Sequence, residues 1–203
     1  MRIIAGHHKG RRIRIPKNLP VRPTTDRAKE ALFSILNHKI DFESTHVLDL
    51  YSGTGSIGFE FCSRGCPSVT SVDANQACAL FVENTAKDLD LPIRSIRMTA
   101  KNYLSNCVSD FDVIFADPPY DNGIEEFETI KAIIETRKLL RPDGWFIFEH
   151  TEQIDFSSDQ THTKNRGNMG VVCLASFSLK TKIYLLETII LFPPLSSLHI
   201  LTD

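Results

Sequence analysis

Asp117-Pro118-Pro119-Tyr120 sets a carboxylate, two prolines and a phenol ring in consecutive positions. The prolines fix φ and remove two N–H donors, so the segment presents carbonyl oxygens and a carboxylate from a stiff backbone. Such an array accepts hydrogen bonds from an amino group and stacks a flat ring on Tyr120. A Pro-Pro pair alone is ordinary turn punctuation. An acid before it, an aromatic after it and a glycine loop upstream favour a binding site. That loop is Gly53-x-Gly55-x-x-Gly58, which follows the apolar run Val47–Leu50 and opens an apolar-faced helix, bringing backbone N–H groups close to a ligand. Asp73 lies 20 residues beyond Gly53, at the end of the next predicted strand, where an acid accepts from ribose hydroxyls. Loop and acid together point to a nucleoside-containing cofactor.

Charge selects among nucleosides. A dinucleotide sets an anionic pyrophosphate at this loop, whereas S-adenosylmethionine brings a sulfonium and an ammonium. Asp49 and Asp117 border the same space, and carboxylates there favour the cation. Asp49 has a second reading, as an acceptor that orders the loop's own N–H groups, and the two are compatible. An exocyclic amine is a poor nucleophile until it is oriented. Acceptors on Asp117 and the Pro118 carbonyl would hold its N–H bonds and aim the lone pair, so positioning supplies most of the rate. Guanine, with N1–H and N2–H₂ adjacent, suits a carboxylate better than adenine does.

The elements that must position these groups are legible as periodicity. Arg2–Ala5 and Arg12–Ile15 flank Gly6-His7-His8-Lys9-Gly10, which predicts a basic hairpin. Pro23-Thr24-Thr25-Asp26 starts a helix running to about Asn37. From there strands are predicted at Val47–Leu50, Ser68–Val72, Ile93–Met98, Phe111–Ala116 and Trp145–Phe148. Helices are predicted after Gly55 up to Arg64-Gly65, over Asn75–Asp88 and over Glu125–Leu140, with a turn at Arg141-Pro142-Asp143-Gly144. The alternation implies an α/β fold: a mostly parallel sheet with helices on both faces. Residues 151–168 read as a polar loop, and Val171–Ser178 with Ile183–Phe192 as two antiparallel strands completing the sheet.

The chain has 203 residues and a net charge of −2 that conceals an asymmetry: residues 1–30 carry +7 and the remainder −9. A basic arm on an acidic body suits phosphate docking by one part and cation handling by the other, although a solvated ribbon is the plainer alternative. Five cysteines without a C-x-x-C pair, and no signal-peptide pattern, point to a reducing cytoplasm. Ile183–Phe192, the longest apolar stretch, is too short to span a bilayer, so no membrane partner is expected. His7 and His8 suit solvent or phosphate, Cys62 and Cys66 suit packing, and no metal site is assigned. Glu149 and His150 read as a polar strand end.

Asp-Pro-Pro-Tyr resembles the motif of amino-group methyltransferases. More narrowly, Met1-Arg2-Ile3-Ile4-Ala5-Gly6, Lys9-Gly10-Arg11, Arg22-Pro23-Thr24-Thr25-Asp26-Arg27, Glu30-Ala31-Leu32-Phe33 and Leu48-Asp49-Leu50-Tyr51-Ser52-Gly53-Thr54-Gly55 resemble the RsmD-type 16S rRNA guanine-N2 methyltransferases over about residues 1–150. The resemblance implies the Rossmann-like class I methyltransferase fold, S-adenosylmethionine, and a guanine of 16S rRNA presented by a small-subunit particle. By position, Asp49, Gly53 and Gly55 border the methionine part of the cofactor, with Tyr51 counted among the loop's contacts, and Asp73 borders the ribose. Thr99 and Ala100 stand at the adenine, where the family commonly has an acid or amide before the Ala. Asp117, Pro118, Pro119 and Tyr120 surround the guanine as catalytic residues.

Residues 1–22 are then an RNA-contacting arm, with Arg2, Lys9, Arg11, Arg12, Arg14, Arg22 and Arg27 as candidate phosphate ligands, and 23–203 a methyltransferase domain with divergent C-terminal strands. Arg166-Gly167-Asn168-Met169-Gly170 matches the family's C-terminal segment poorly, and Leu191-Phe192-Pro193-Pro194 is unmatched. A monomer is expected. The residues alone also admit another amine acceptor, DNA adenine or protein glutamine, or a non-catalytic nucleotide- or RNA-binding module.

Overall fold

Short β-branched and aromatic runs, each separated from the next by a helix, leave a chain little choice but parallel pairing, because only a crossover helix can return it to the starting edge. The computed structural model describes residues 1–21, 24–119, 123–151 and 170–176. In chain order these form α1 (Asp26–Leu36), a 3₁₀ turn (Phe42–Ser44), β1 (His46–Leu50), α2 (Ser56–Ser63), β2 (Ser68–Asp73), α3 (Gln76–Asp88), β3 (Ile93–Arg97), α4 (Ala100–Asn106), β4 (Phe111–Ala116), α5 (Gly123–Arg137), β5 (Leu140–Thr151) and β6 (Gly170–Ser176). The strand order is β3-β2-β1-β4-β5-β6, and every pairing in it is parallel.

Alternation along the strands divides the core between the two faces of the sheet. Leu48, Leu50, Ile114, Phe146 and Phe148 pack beneath α4 and α5, where Phe127 meets Phe146 and Phe148 at ring separations of 5.9 and 5.0 Å. Val47, Val113, Phe115 and Ile147 face the other way, against Leu32, Phe33 and Leu36 of α1 and Phe61 of α2. Thr25 caps α1 by accepting from the Ala28 N–H at 3.2 Å, and Asn75 caps α3 through Ala77 and Cys78.

Four expectations change. α4 was not foreseen: it has only seven residues, too few to show a helical period, and its start is marked only by its Thr99 cap. The Arg141–Gly144 turn lies inside β5, where the register against β4 shifts between Phe111↔Leu140 and Val113↔Trp145 and Asp143 takes a φ of 61°. Pro and Gly there interrupt the register without ending the strand. β6 pairs with β5 in parallel, Trp145↔Gly170 through Thr151↔Ser176, and not antiparallel as expected. The polar loop and the Ile183–Phe192 strand fall outside the described residues.

The fourth change concerns the arm. Residues 1–13 double back through a single antiparallel bridge, Arg2↔Arg12, with Ile3 N–H to Arg11 O and Ile13 N–H to Met1 O at 3.0 Å each. A longer ribbon does not form because α2 takes the next backbone groups. Ile4 and Ala5 donate N–H bonds to the Glu60 carboxylate at 2.8 and 3.0 Å. The Ser63 hydroxyl donates to Ala5 O at 2.6 Å, and His7 N–H donates to Ser63 O at 2.7 Å. Gly6, at φ +80°, is required at this contact, since a Cβ on it would sit 1.7 Å from Ser63 O. Ile3 and Ile13 meanwhile bury against Phe59, Val82 and Ala86.

Candidate active site

The sheet order places the topological switch between β1 and β4, whose following helices, α2 and α5, leave toward opposite faces. The crevice beyond those two carboxyl ends is where open α/β sheets take ligands. The glycine loop and the Asp117-Pro118-Pro119 segment are the two connections that flank it.

On the β1 side the loop is tied down by Asp73, at the end of β2. One carboxylate oxygen of Asp73 accepts from Gly53 N–H at 2.8 Å, and the other from Asn75 N–H at 2.7 Å. Each oxygen keeps a second lone pair, so the loop contact leaves acceptor capacity for ribose hydroxyls. A Cβ on Gly53 (φ +53°) would meet Val21 and Tyr51 O only at 3.7–3.8 Å, ordinary contact, whereas Gly55 (φ +71°) would drive a Cβ to 2.8 Å from Val82 Cγ2. Gly58 permits close packing of α2 on the sheet, since its Cβ would stand 3.1 Å from Ser71 Oγ and 3.2 Å from Asp49 Oδ2.

Asp49 is buried under α2 and accepts from the Gly58 N–H at 3.2 Å. Gly55 at the helix start has no side chain to cap α2, so Asp49 serves that orphan donor from the strand below. This is the loop-ordering role. Burial pushes its carboxyl up to about 8, against the lowering effect of the Gly58 bond and with help from the charges of Asp117 and Asp73. Tyr51, at φ 57°, turns its ring onto the α4–α5 core and donates its hydroxyl to Glu126 of α5. Thr99 accepts from Asn102 N–H at 3.3 Å as the cap of α4, and Ala100 is buried just behind it, both past the end of β3.

On the β4 side, Asp117 is half-buried, Pro118 buried and Pro119 exposed. Tyr120 lies outside the described residues. Burial pushes the Asp117 carboxyl up to about 6. The β4–β5 register, Ala116↔Phe148, sets Glu149 level with Asp117, and burial together with the Asp117 charge pushes Glu149 up to about 8. Acids at the ends of four neighbouring strands thus repel one another in a partly dehydrated crevice, and a cationic ligand relieves that repulsion. Glu149 was read from the sequence as a polar strand end. Its pairing with Asp117 becomes visible only through the register.

Of the candidate phosphate ligands, Lys9, Arg11, Arg12, Arg14 and Arg27 are exposed and make no ion pair among the described residues. Arg2 pairs with Asp26 at 3.1 Å, and Arg22 lies outside the described residues. The arm's turn docks on the C-terminal end of α2 while Val21 lies beside Gly53 at its N-terminal end, so residues 11–21 run the length of that helix. Glu60, fully buried, was missed as the residue that fixes this path. The signal was available: a lone acid inside the otherwise apolar Ile57–Cys62 run.

The family described as conserved hypothetical protein 95 matches residues 1–177. Ribosomal RNA small subunit methyltransferase D of Escherichia coli K12 is 31% identical over 150 residues, covering 73% of this chain and 71% of its own length. The chain belongs to the RsmD-type family. The Haemophilus influenzae relative of the same name is 31% identical over 158 residues, covering 75% of this chain and 79% of its own. A solved Escherichia coli structure, described as that of a candidate methyltransferase, superposes with a TM-score of 0.63 at 26% identity, covering 71% of this chain and 76% of that one. The fold is accordingly the Rossmann-like class I methyltransferase fold of that family.

Proposed function

We infer that the protein methylates ribosomal RNA with S-adenosylmethionine, and that its acceptor is the exocyclic N2 amine of a guanine in 16S rRNA, presented within a small-subunit particle. The observation that carries this reading is the meeting, across the β1/β4 switch, of the Asp73-tied glycine loop with Asp117-Pro118, in a chain whose relatives are named for small-subunit rRNA methylation.

The chain's own groups suit the cofactor. Gly53 and Gly55 hold the loop in left-handed backbone that brings it close to the crevice, and the hydroxyls of Ser52 and Ser56, buried on that loop, have no hydrogen-bond partner among the described residues. When bound, S-adenosylmethionine supplies an electrophilic methyl group on a sulfonium. Asp73 holds the ribose edge, and Asp117, joined by Asp49 and Glu149 as they ionise, sets a negative potential for the cationic end. The Asp117 carboxylate and the Pro118 carbonyl accept from the guanine N2–H bonds and fix the direction of the lone pair. Asp117, with its carboxyl near neutrality, also stands where it can take the proton that the methylated amine must lose. Tyr120 offers the stacking face for the base. The exposed cations from Lys9 to Arg14, on a segment leading up α2 to the glycine loop, form a track for the RNA backbone.

The protein acts as a monomer in the cytoplasm. Four described cysteines, all buried and free, suit a reducing compartment, and no helix among the described residues is long and apolar enough to cross a membrane.

Labelled-methyl transfer to naked 16S rRNA, assembled 30S subunits and 70S ribosomes, followed by mapping of the modified base, tests the reading. Product on a small-subunit guanine N2 is expected, with turnover falling by roughly 10²–10³ in Asp117→Ala at near-constant cofactor affinity. Label on DNA or protein instead of rRNA refutes it.

A further inference from the structure

Glu126 stands in the first turn of α5, with its side chain only 10% exposed, and both of its oxygens are engaged from elsewhere. Oε1 accepts the Tyr51 hydroxyl from the β1–α2 loop. Oε2 pairs at 2.7 Å with Lys101 from the first turn of α4. In an all-parallel sheet the β1–α2, β3–α4 and β4–α5 connections all emerge at the same edge, and there one carboxylate joins the β1–α2 loop to the first turns of α4 and α5. Burying a carboxylate is a poor way to gain stability, because the desolvation cost offsets much of the attraction; where such a group is retained, fixing one arrangement among several is its best-attested use.

Tyr51 supplies the second observation. It is a non-glycine residue at φ 57°, two positions from Gly53, in a left-handed conformation that must be imposed from outside. Its ring packs on the α4–α5 core and its hydroxyl is held by Glu126. Burial and the Glu126 contact both push the phenol's proton affinity up, which keeps it a donor. The turn before the glycine loop is therefore tied to α5, the helix that comes next in the chain after Asp117-Pro118-Pro119.

We propose that Tyr51, Glu126 and Lys101 are positioning residues that couple the cofactor loop to the target-base segment, so that occupancy of either site favours the productive placement of the other. This rests on the functional reading above and deepens it. Cofactor settling against Gly53 and a guanine settling against Asp117 each favour one placement of the Glu126 carboxylate, and the benefit is reciprocal by linkage.

The test measures the dissociation constant of S-adenosylhomocysteine with and without saturating, unmethylated small ribosomal subunits, in the unaltered protein, Tyr51→Phe and Lys101→Met. The Phe ring keeps the packing and Lys101 is half-exposed, so both variants are expected to fold and to melt within a few degrees of the parent. The unaltered protein should bind S-adenosylhomocysteine about tenfold more tightly with RNA present, and Tyr51→Phe should reduce that factor to roughly twofold or less, with Lys101→Met between them. Turnover should fall about tenfold in Tyr51→Phe, and by the same linkage KM for RNA at saturating cofactor should rise about fivefold, the factor by which the coupling has dropped. A purely structural tie predicts lowered melting temperature with coupling intact, and that outcome overturns the proposal. So does an unaltered protein that methylates rRNA without any coupling. An unaltered protein that neither binds S-adenosylhomocysteine nor methylates rRNA fails the functional reading itself, and the coupling with it.

Discussion

Replacing Glu60 by Gln keeps the side chain's volume and removes only its charge and one acceptor oxygen. In the native protein the carboxylate accepts from Ile4 N–H, Ala5 N–H and the Arg64 guanidinium, at 2.8 to 3.1 Å, in a fully buried position. The carboxamide satisfies one side and turns an NH₂ group toward donors on the other. Losing one partner of a buried ion pair costs about 3–5 kcal/mol, less here because Arg64 keeps Asn37 at 3.0 Å and its stack over Phe33. Release of the arm is the alternative. The arm is otherwise held by the Ser63 bonds, by Lys29 donating to Arg2 O, and by burial of Ile3 and Ile13, roughly 1.5–3 kcal/mol for each isoleucine. Those contacts are offset by the backbone entropy a freed segment regains, about 1–2 kcal/mol per residue, so with Glu60 neutralised the arm should fray while the sheet survives. Hydrogen exchange should show Ile4, Ala5 and His7 amides losing protection together. Calorimetry should show S-adenosylmethionine affinity unchanged, and RNA affinity at moderate salt should drop by about an order of magnitude as the cations lose their fixed path. Unchanged protection at Ile4 and Ala5 with unchanged RNA affinity would refute Glu60 as the anchor.

Gly55→Ala adds a methyl 2.8 Å from Val82 and 3.0 Å from the Phe59 ring at φ +71°, and should cost about 2–4 kcal/mol in thermal melts along with measurable cofactor binding. Asp49, Asp117 and Glu149, raised to about 8, 6 and 8, keep protons in the folded protein that the unfolded chain releases near the usual values of 3.8, 3.8 and 4.5. The folded state thus binds more protons across that window, so stability should decline as pH rises from about 4 to 8. Over the same window, affinity for the sulfonium S-adenosylmethionine should rise relative to neutral-sulfur S-adenosylhomocysteine; a ratio independent of pH between 6 and 8 removes these acids from the cofactor's field. Replacing Arg11, Arg12 and Arg14 together by Ala should flatten the salt dependence of RNA binding by ~0.7–0.9 per lost contact with cofactor affinity constant, and an unaltered slope makes the arm a solvated face.

Much of the site was legible because its residues act through the local backbone. Gly53 and Gly55 adopt left-handed φ, Asp73 ends its strand, and the Asp117-Pro118-Pro119 run stiffens the exit of β4, all properties of short segments that sequence spacing encodes directly. The strand and helix periods likewise fixed the α/β class, since successive parallel strands admit few connections; the strand order, and with it the switch point, came from the sheet itself.

What only the tertiary structure decided depends on partners far apart in the chain. Glu60 reaches Ile4 across 56 positions, and Tyr51 reaches Glu126 across 75. A charged residue in a helix reads as surface until its partners are known, because burial of the charge becomes tolerable only when donors converge on it from other elements. The Glu149–Asp117 pairing arises from inter-strand register, which neither strand carries alone. For the arm, local pattern and tertiary context competed directly: two β-prone runs around a glycine turn favour a ribbon, but the Glu60 carboxylate and Ser63 offered Ile4, Ala5 and His7 better partners than Arg12–Ile15 did, and the ribbon stopped at one bridge.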